Sequence, residues 1–138
     1  MDDVIDVLME PGARAYNLQQ RLIEFAVNRT DVLEKMPSTR VANHLVGQAV
    51  RSITSPALNY GEAQAAEPKR DFMHKMKICL KELRETQVAL TILYRKRYLI
   101  DADEQLLKAV MQECKELIAI FATSIKTAER NLAQEGKG

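Results

Sequence analysis

The side chains best suited to chemistry in this chain are two histidines and two cysteines, set among 19 acidic residues. A helical protein could use them for a di-iron centre. Such a centre needs four inward carboxylates, two of them in Glu-x-x-His pairs. His44 has Val41 three residues before it, and His74 has Asp71, which gives a single Asp-x-x-His. Both histidines fall off the apolar helical faces, so no metal and no cofactor are expected. Cys79 and Cys114 fall on apolar faces, and neither has a histidine at helical contact spacing. A thiol nucleophile needs a base and an orienting group beside it. The two cysteines therefore read as small buried hydrophobes, and two alone form no disulfide framework. No glycine-rich loop of the kind that cradles phosphate opens a helix. Catalytic residues are expected to be absent.

Binding surfaces are better represented. Arg70, His74, Lys77, Lys81 and Arg84 follow one another at steps of four, three, four and three, with Arg95 on the same line. Lys108, Lys115 and Lys126 lie at a similar angle off the core of the next helix. Aligned cations at helical spacing can track a phosphate backbone, so these nine residues are the candidate nucleic-acid surface. The bland alternative is a solvated face. A second array, His44, Gln48, Arg51, Ser55, Asn59 and Glu62, forms a polar stripe beside an apolar one. It is either a wet edge or a hydrogen-bonded seam. Val88 and Ile92, four apart, point away from the core line, as do Leu58, Ile78 and Ile120. An apolar pair on one face suggests a contact between proteins, and oligomerisation is expected there.

Four stretches with a 3.6-residue apolar period must position these groups. The first runs from about Tyr16 to Met36, with Leu18, Leu22, Phe25, Ala26, Leu33 and Met36 on one face and Pro37 as its stop. Residues 1–14 read as a loose arm. The second starts at a Ser38 or Thr39 cap and follows Ala42, Leu45, Val46, Ala49, Ile53, Ala57, Tyr60 and Ala63. That line keeps its phase across Pro56, which predicts one helix kinked there rather than two. Glu67-Pro68 breaks the chain before the third helix, whose core line is Phe72, Met76, Cys79, Leu80, Leu83, Gln87, Leu90 and Tyr94. Asp101 and Glu104 have capping-box spacing at the head of the fourth. Its line is Leu107, Val110, Met111, Cys114, Leu117, Ile118, Phe121, Ile125, Ala128 and Leu132, ending in a frayed tail, residues 134–138. Connections this short force antiparallel neighbours. The expected fold is all-α, an up-and-down antiparallel four-helix bundle forming one domain over residues 1–138.

Bulk properties agree with that reading. With 138 residues, a single core buries on the order of 68% of the unfolded surface, so neither disulfide nor metal is required. No tryptophan, 5 glycines and 4 prolines favour helix over sheet. A net charge of +1 creates no global pull toward nucleic acid or membrane, so any electrostatic function must come from local segregation. No apolar run reaches 18 residues, which excludes a helical membrane span. The acidic start Met1-Asp2-Asp3 is unlike a signal peptide, and a cytoplasmic location is expected.

The stretch from Ser52 to Glu67, then Asp71-Phe72, then Leu80-Lys-Glu-Leu-Arg-Glu-Thr86, carries a resemblance. So does Glu116 to Lys126. Together they resemble the bacterial four-helix-bundle proteins encoded in intervening sequences of 23S ribosomal RNA genes. Ser55, Asn59, Glu62 and Ala63 carry the first part of the pattern, and Glu82, Glu85 and Thr86 the second. The resemblance spans roughly residues 16–130. It implies a homopentamer, an association with RNA by genetic context, and no established activity. The accessory proteins of diversity-generating retroelements are similar in architecture, a fold-level likeness only. One departure concerns the first helix: many members have a basic residue where this chain has Asn28, and here Arg29 follows instead. Arg29 falls on the core side and would need a carboxylate such as Glu62 or Glu82, or a path to water.

Overall fold

The computed structural model describes residues 11–65 and 69–137. Residues 1–10 of the expected arm, the Glu67-Pro68 break and Gly138 lie outside them, as do the side chains of Ile53 and Ala63. Four helices make up the described chain: α1 Pro11–Leu33, α2 Arg40–Ala65, α3 Lys69–Arg95 and α4 Asp101–Lys137. The fold is an all-α helical bundle, with no strand among the described residues.

Two helix ends differ from expectation. α1 begins at Pro11, not near Tyr16, so residues 11–14 are helical rather than part of a loose arm. Proline suits the first helical position because its missing N–H would be unpaired there anyway. α4 runs on to Lys137, through most of the expected frayed tail. Other boundaries follow the local chemistry. α1 closes with tightened bonds from Lys35 N to Val32 O and Met36 N to Leu33 O, at 3.0 and 3.2 Å. Thr39 caps α2, its Oγ1 accepting from Ala42 N at 3.1 Å. Pro56 sits inside α2, which continues through it as one helix.

The α3–α4 connection is unusual. Arg97 (φ 58°) and Asp101 (φ 53°) both occupy the left-handed region without being glycine. Arg97 stands where a helix-ending glycine is common. Its guanidinium lies 5.3 Å from the Tyr94 ring centroid and 3.4 Å from Glu104 Oε1. The expected capping box is not the bond that forms: Glu104 N donates to the carbonyl of Ile100 at 3.3 Å. The Glu104 carboxylate turns to Arg97 instead.

Contacts fix how the helices lie. Ser52, Pro56 and Glu62 of α2 meet Thr86, Cys79 and Lys75 of α3 in turn, so the two run in opposite directions. Lys77 meets Glu129 and Arg97 meets Glu104, which sets α4 against α3 likewise. Arg21–Glu113 and Lys35–Asp103 do the same for α1 and α4. α3 packs most extensively on α2 and α4, and α1 is the most loosely engaged helix. The core centres on Leu22, Leu83, Leu90, Leu93, Leu107, Leu117 and Phe121, all essentially sealed from solvent. Tyr60 of α2 and Phe121 of α4 meet across it edge to face, with centroids 5.8 Å apart, the geometry that aromatic quadrupoles favour.

The buried line of α3 lies slightly to one side of the expected one. Met76, Cys79, Leu83, Thr86, Ala89, Leu90 and Leu93 are buried, while Gln87 and Tyr94 are only half-buried. Thr86 is tolerated in the core because its hydroxyl donates to Ser52 Oγ at 2.6 Å, with the Glu82 carbonyl at 2.8 Å as its alternative acceptor. Ser52 in turn donates to the Gln48 carbonyl at 3.2 Å. Removing one hydroxyl leaves the other bonded only to its own helix backbone. Ser52→Ala or Thr86→Val alone should therefore destabilise the bundle by about 0.5–1.5 kcal/mol, the net value of the lost interhelical bond. The Ser52→Ala, Thr86→Val double variant should cost less than the sum of the two. Urea unfolding followed by circular dichroism gives all three values, and strict additivity would mean that the two hydroxyls act independently.

Candidate nucleic-acid interface

All nine cationic candidates are exposed: Arg70, His74, Lys77, Lys81, Arg84, Arg95, Lys108, Lys115 and Lys126. The α3 stripe resolves into two edges. Arg70, Lys77, Arg84 and Thr91 stand seven apart, two turns each, and share one line. Lys77 Nζ reaches Glu129 Oε1 of α4 at 3.2 Å, so that line borders α4. His74, Lys81, Val88 and Arg95 form the outer line.

A groove of about 320 Å³ opens between α3 and α4 where the inner line ends. Gln87, Thr91 and Tyr94 form its α3 wall. Lys108, Met111, Gln112 and Lys115 form its α4 wall. No carboxylate lines it. Lys108 Nζ lies 5.6 Å from the Tyr94 ring centroid, within cation–π range. The structure thus brings Lys108 and Lys115 together with the end of the α3 inner line. It also adds Tyr94 and two glutamines that sequence reasoning had assigned to the core or left aside. The missed signal was amphipathic character: tyrosine and glutamine at a core edge present a polar tip to solvent.

A groove between α1 and α4 differs. Arg21, Glu24 and Asn28 of α1 and Glu113 of α4 contribute its polar lining. Arg21 Nε donates to Glu113 Oε1 at 3.0 Å. Two carboxylates make that groove a poor place for phosphate.

The polar stripe of α2 divides along its length. His44, Gln48, Arg51 and Glu62 are exposed, whereas Ser55 and Asn59 are half-buried. Asn59 Nδ2 donates to the Ser55 carbonyl and to Ser55 Oγ, both at 2.9 Å. Glu62 pairs with Lys75 at 2.6 Å. The buried crossing to α3 is made by Ser52, a position the stripe omitted. On α3, burial and then the neighbouring Glu85 push the Glu82 carboxyl up, with Lys81 opposing.

Arg29 finds neither the carboxylate nor the path to water expected of it. It is 0% exposed, and Nε, Nη1 and Nη2 have no hydrogen-bond partner. Its guanidinium carbon lies 3.4 Å from the Phe25 ring centroid. Desolvation pushes it down to about 9, with the nearby Cys114 sulfur opposing. The cysteines are buried as expected and donate to backbone carbonyls: Cys79 to Pro56 at 3.4 Å and Cys114 to Leu83 at 3.3 Å. No group of three or more His, Cys, Asp or Glu side chains among the described residues could hold a metal.

Among the apolar candidates, Leu58, Val88 and Ile92 are exposed, at 67%, 60% and 41%. Ile78 is half-buried. Ile120 is half-buried too and packs against the core cluster, so it does not belong to an outward patch. Ile23 and Val27 of α1 and Ile100 before α4 are exposed apolar residues that the sequence reading passed over.

The described residues thus form an all-α helical bundle with a sealed core and a cationic flank. Residues 14–121 match the family described as 23S rRNA-intervening sequence protein. The chain belongs to that family. It is also similar to a crystal structure from Bacteroides thetaiotaomicron, that of a protein with unknown function from the S23 ribosomal protein family. The two share 26% identity and a TM-score of 0.67, over 79% of this chain and 98% of that one. No protein of curated function matches. No described helix is long and apolar enough to cross a membrane.

Proposed function

We propose that this chain is a non-catalytic, cytoplasmic RNA-binding bundle that works as a homo-oligomer, five copies being the number its family resemblance implies. The carrying observation is the α3–α4 flank. Its inner line of Arg70, Lys77 and Arg84 leads into a groove with two lysines and no carboxylate. From Arg70 to Arg84 that line is about 21 Å long at 1.5 Å per residue, enough to follow several phosphates. One copy neutralising a few phosphates binds weakly, but linked copies gain avidity without new contacts.

Binding should be insensitive to sequence, and log affinity should fall linearly with log salt. Lys77→Glu, Lys81→Glu should weaken binding and flatten that slope by about 0.7–0.9 per lost phosphate contact. Helicity and oligomer mass should be unchanged. Fluorescence anisotropy with labelled RNA across a salt series measures both. A wild type that binds no RNA at low salt and micromolar concentration would leave the cations as a solvated face. Val88 and Ile92 favour a second reading in that event: an adaptor oligomer whose ligand is a protein.

A further inference from the structure

We propose that the α3–α4 groove is a nucleobase site: an unpaired base of single-stranded RNA stacks on the Tyr94 ring while Lys108 and Lys115 hold the flanking phosphates. This rests on the reading that the flank binds RNA, and it names the form of RNA.

The groove combines three things a base requires. The first is a π platform. Tyr94 is half-buried, and its ring already attracts two cations, Arg97 at 5.3 Å and Lys108 at 5.6 Å. Packing against the core cluster anchors the ring, so little ordering is needed before a base settles on it. Met111 adds an apolar surface beside it. The second requirement is readable polar groups. The Gln87 and Gln112 amides each offer donor and acceptor. Thr91 Oγ1 donates to the Gln87 carbonyl at 2.7 Å, so towards the groove it presents lone pairs. The third is phosphate neutralisation. Lys108 and Lys115 are two turns apart on α4, about 10 Å along the axis, so they flank one nucleotide rather than share an oxygen. On binding, the Lys108 ammonium leaves the ring for a phosphate and the base takes its place.

A volume of about 320 Å³ stands at the lower end of the 300–1,000 Å³ range of small-ligand sites, room enough for an unpaired base. A base held in a duplex cannot enter, because its faces are covered by its neighbours. The site therefore discriminates by strandedness, which a row of cations alone does not. Stacking tolerates any base, in keeping with the sequence insensitivity expected of the flank.

The test compares a labelled uridine decamer with a blunt RNA duplex of the same length at about 50 mM salt, a concentration low enough to keep phosphate contacts strong. The wild type should prefer the single strand. Tyr94→Leu should weaken single-strand binding by about five- to a hundredfold, leaving duplex affinity and the salt slope unchanged, and Tyr94→Phe should restore it. Ultraviolet cross-linking of the unmutated protein to the decamer, followed by peptide mapping, should place the adduct on Tyr94. The nucleobase site is overturned, with the RNA-binding flank intact, if Tyr94→Leu binds the decamer like wild type or if the adduct maps elsewhere. Equal losses in Tyr94→Leu and Tyr94→Phe would overturn it too. A wild type that binds neither RNA removes both readings at once.

Discussion

Arg29→Met should make the bundle more stable, by about 1–4 kcal/mol, the range seen when buried ionic groups give way to well-packed apolar ones. The direction is contrary to most core substitutions, which destabilise. The reason is the guanidinium's situation. It is sealed from water, stacked on Phe25, and all three nitrogens lack partners. Burying a charge without hydrogen bonds or a counter-charge costs several kcal/mol, and one aromatic face returns roughly 2. Methionine keeps the length and flexibility needed to fill the space. Urea denaturation of both proteins supplies the difference, and its pH dependence identifies the cause. At neutral pH the guanidinium is charged in both folded and unfolded states, so the full penalty is present. Burial holds it at about 9 in the folded state, below its unfolded value. As pH rises through about 9, the folded form releases its proton first, and the wild type gains stability. The gap to Arg29→Met should narrow from that point upward and stay constant below it. A methionine variant less stable than wild type at neutral pH would mean that Arg29 has a counter-ion or an ordered water in solution.

The second large effect concerns assembly. Val88 and Ile92 expose 60% and 41% of their surface on the outer edge of α3, beside Lys81 and Arg95. Full burial of such side chains is worth about 1.5–3 kcal/mol each, and the surface they still expose leaves roughly half of that, about 1 kcal/mol each, to be gained at an interface. Val88→Glu, Ile92→Lys together remove that gain from every interface of a closed ring. The expected result is a fall in mass by light scattering to that of a dissociated species, with helicity by circular dichroism unchanged. A wild type that is already monomeric at micromolar concentration would end the oligomer reading, and with it the avidity argument for RNA.

Much of the architecture was legible because apolar residues recur with helical period and prolines punctuate the chain. Leu22, Phe25, Leu45, Cys79, Leu83, Leu117 and Phe121 were all placed on core faces, and all are buried. The site was less legible. Periodicity locates a face to within about one residue, and on α3 that margin separates core from groove. Gln87 and Tyr94 fit the apolar line by angle, yet they stand at its rim, half-buried, where the groove between α3 and α4 opens. Thr86 lay off the line and is buried, since a hydroxyl can be satisfied by Ser52 and the helix backbone. The capping box failed for a similar reason: Glu104 had a competing partner in Arg97, which folds back from a left-handed turn that no spacing rule reveals. Arg29 was placed correctly on the core side. Its lack of a partner depends on where α2 and α3 set Glu62 and Glu82, and only the assembled bundle shows that.

The two thiols have a practical consequence for anyone who wishes to watch this protein move. Burial pushes Cys79 up to about 12 and Cys114 up to about 11. At pH 7 the thiolate fraction of Cys114 is on the order of one in 10⁴, and only the thiolate reacts with maleimides. Neither sulfur is accessible. A dye or spin label could thus be attached to a single cysteine introduced on the outer edge of α3 or beside the groove, with both native cysteines left in place. The proposed association of copies, and the proposed entry of RNA into the groove, can then be followed on an otherwise unaltered chain.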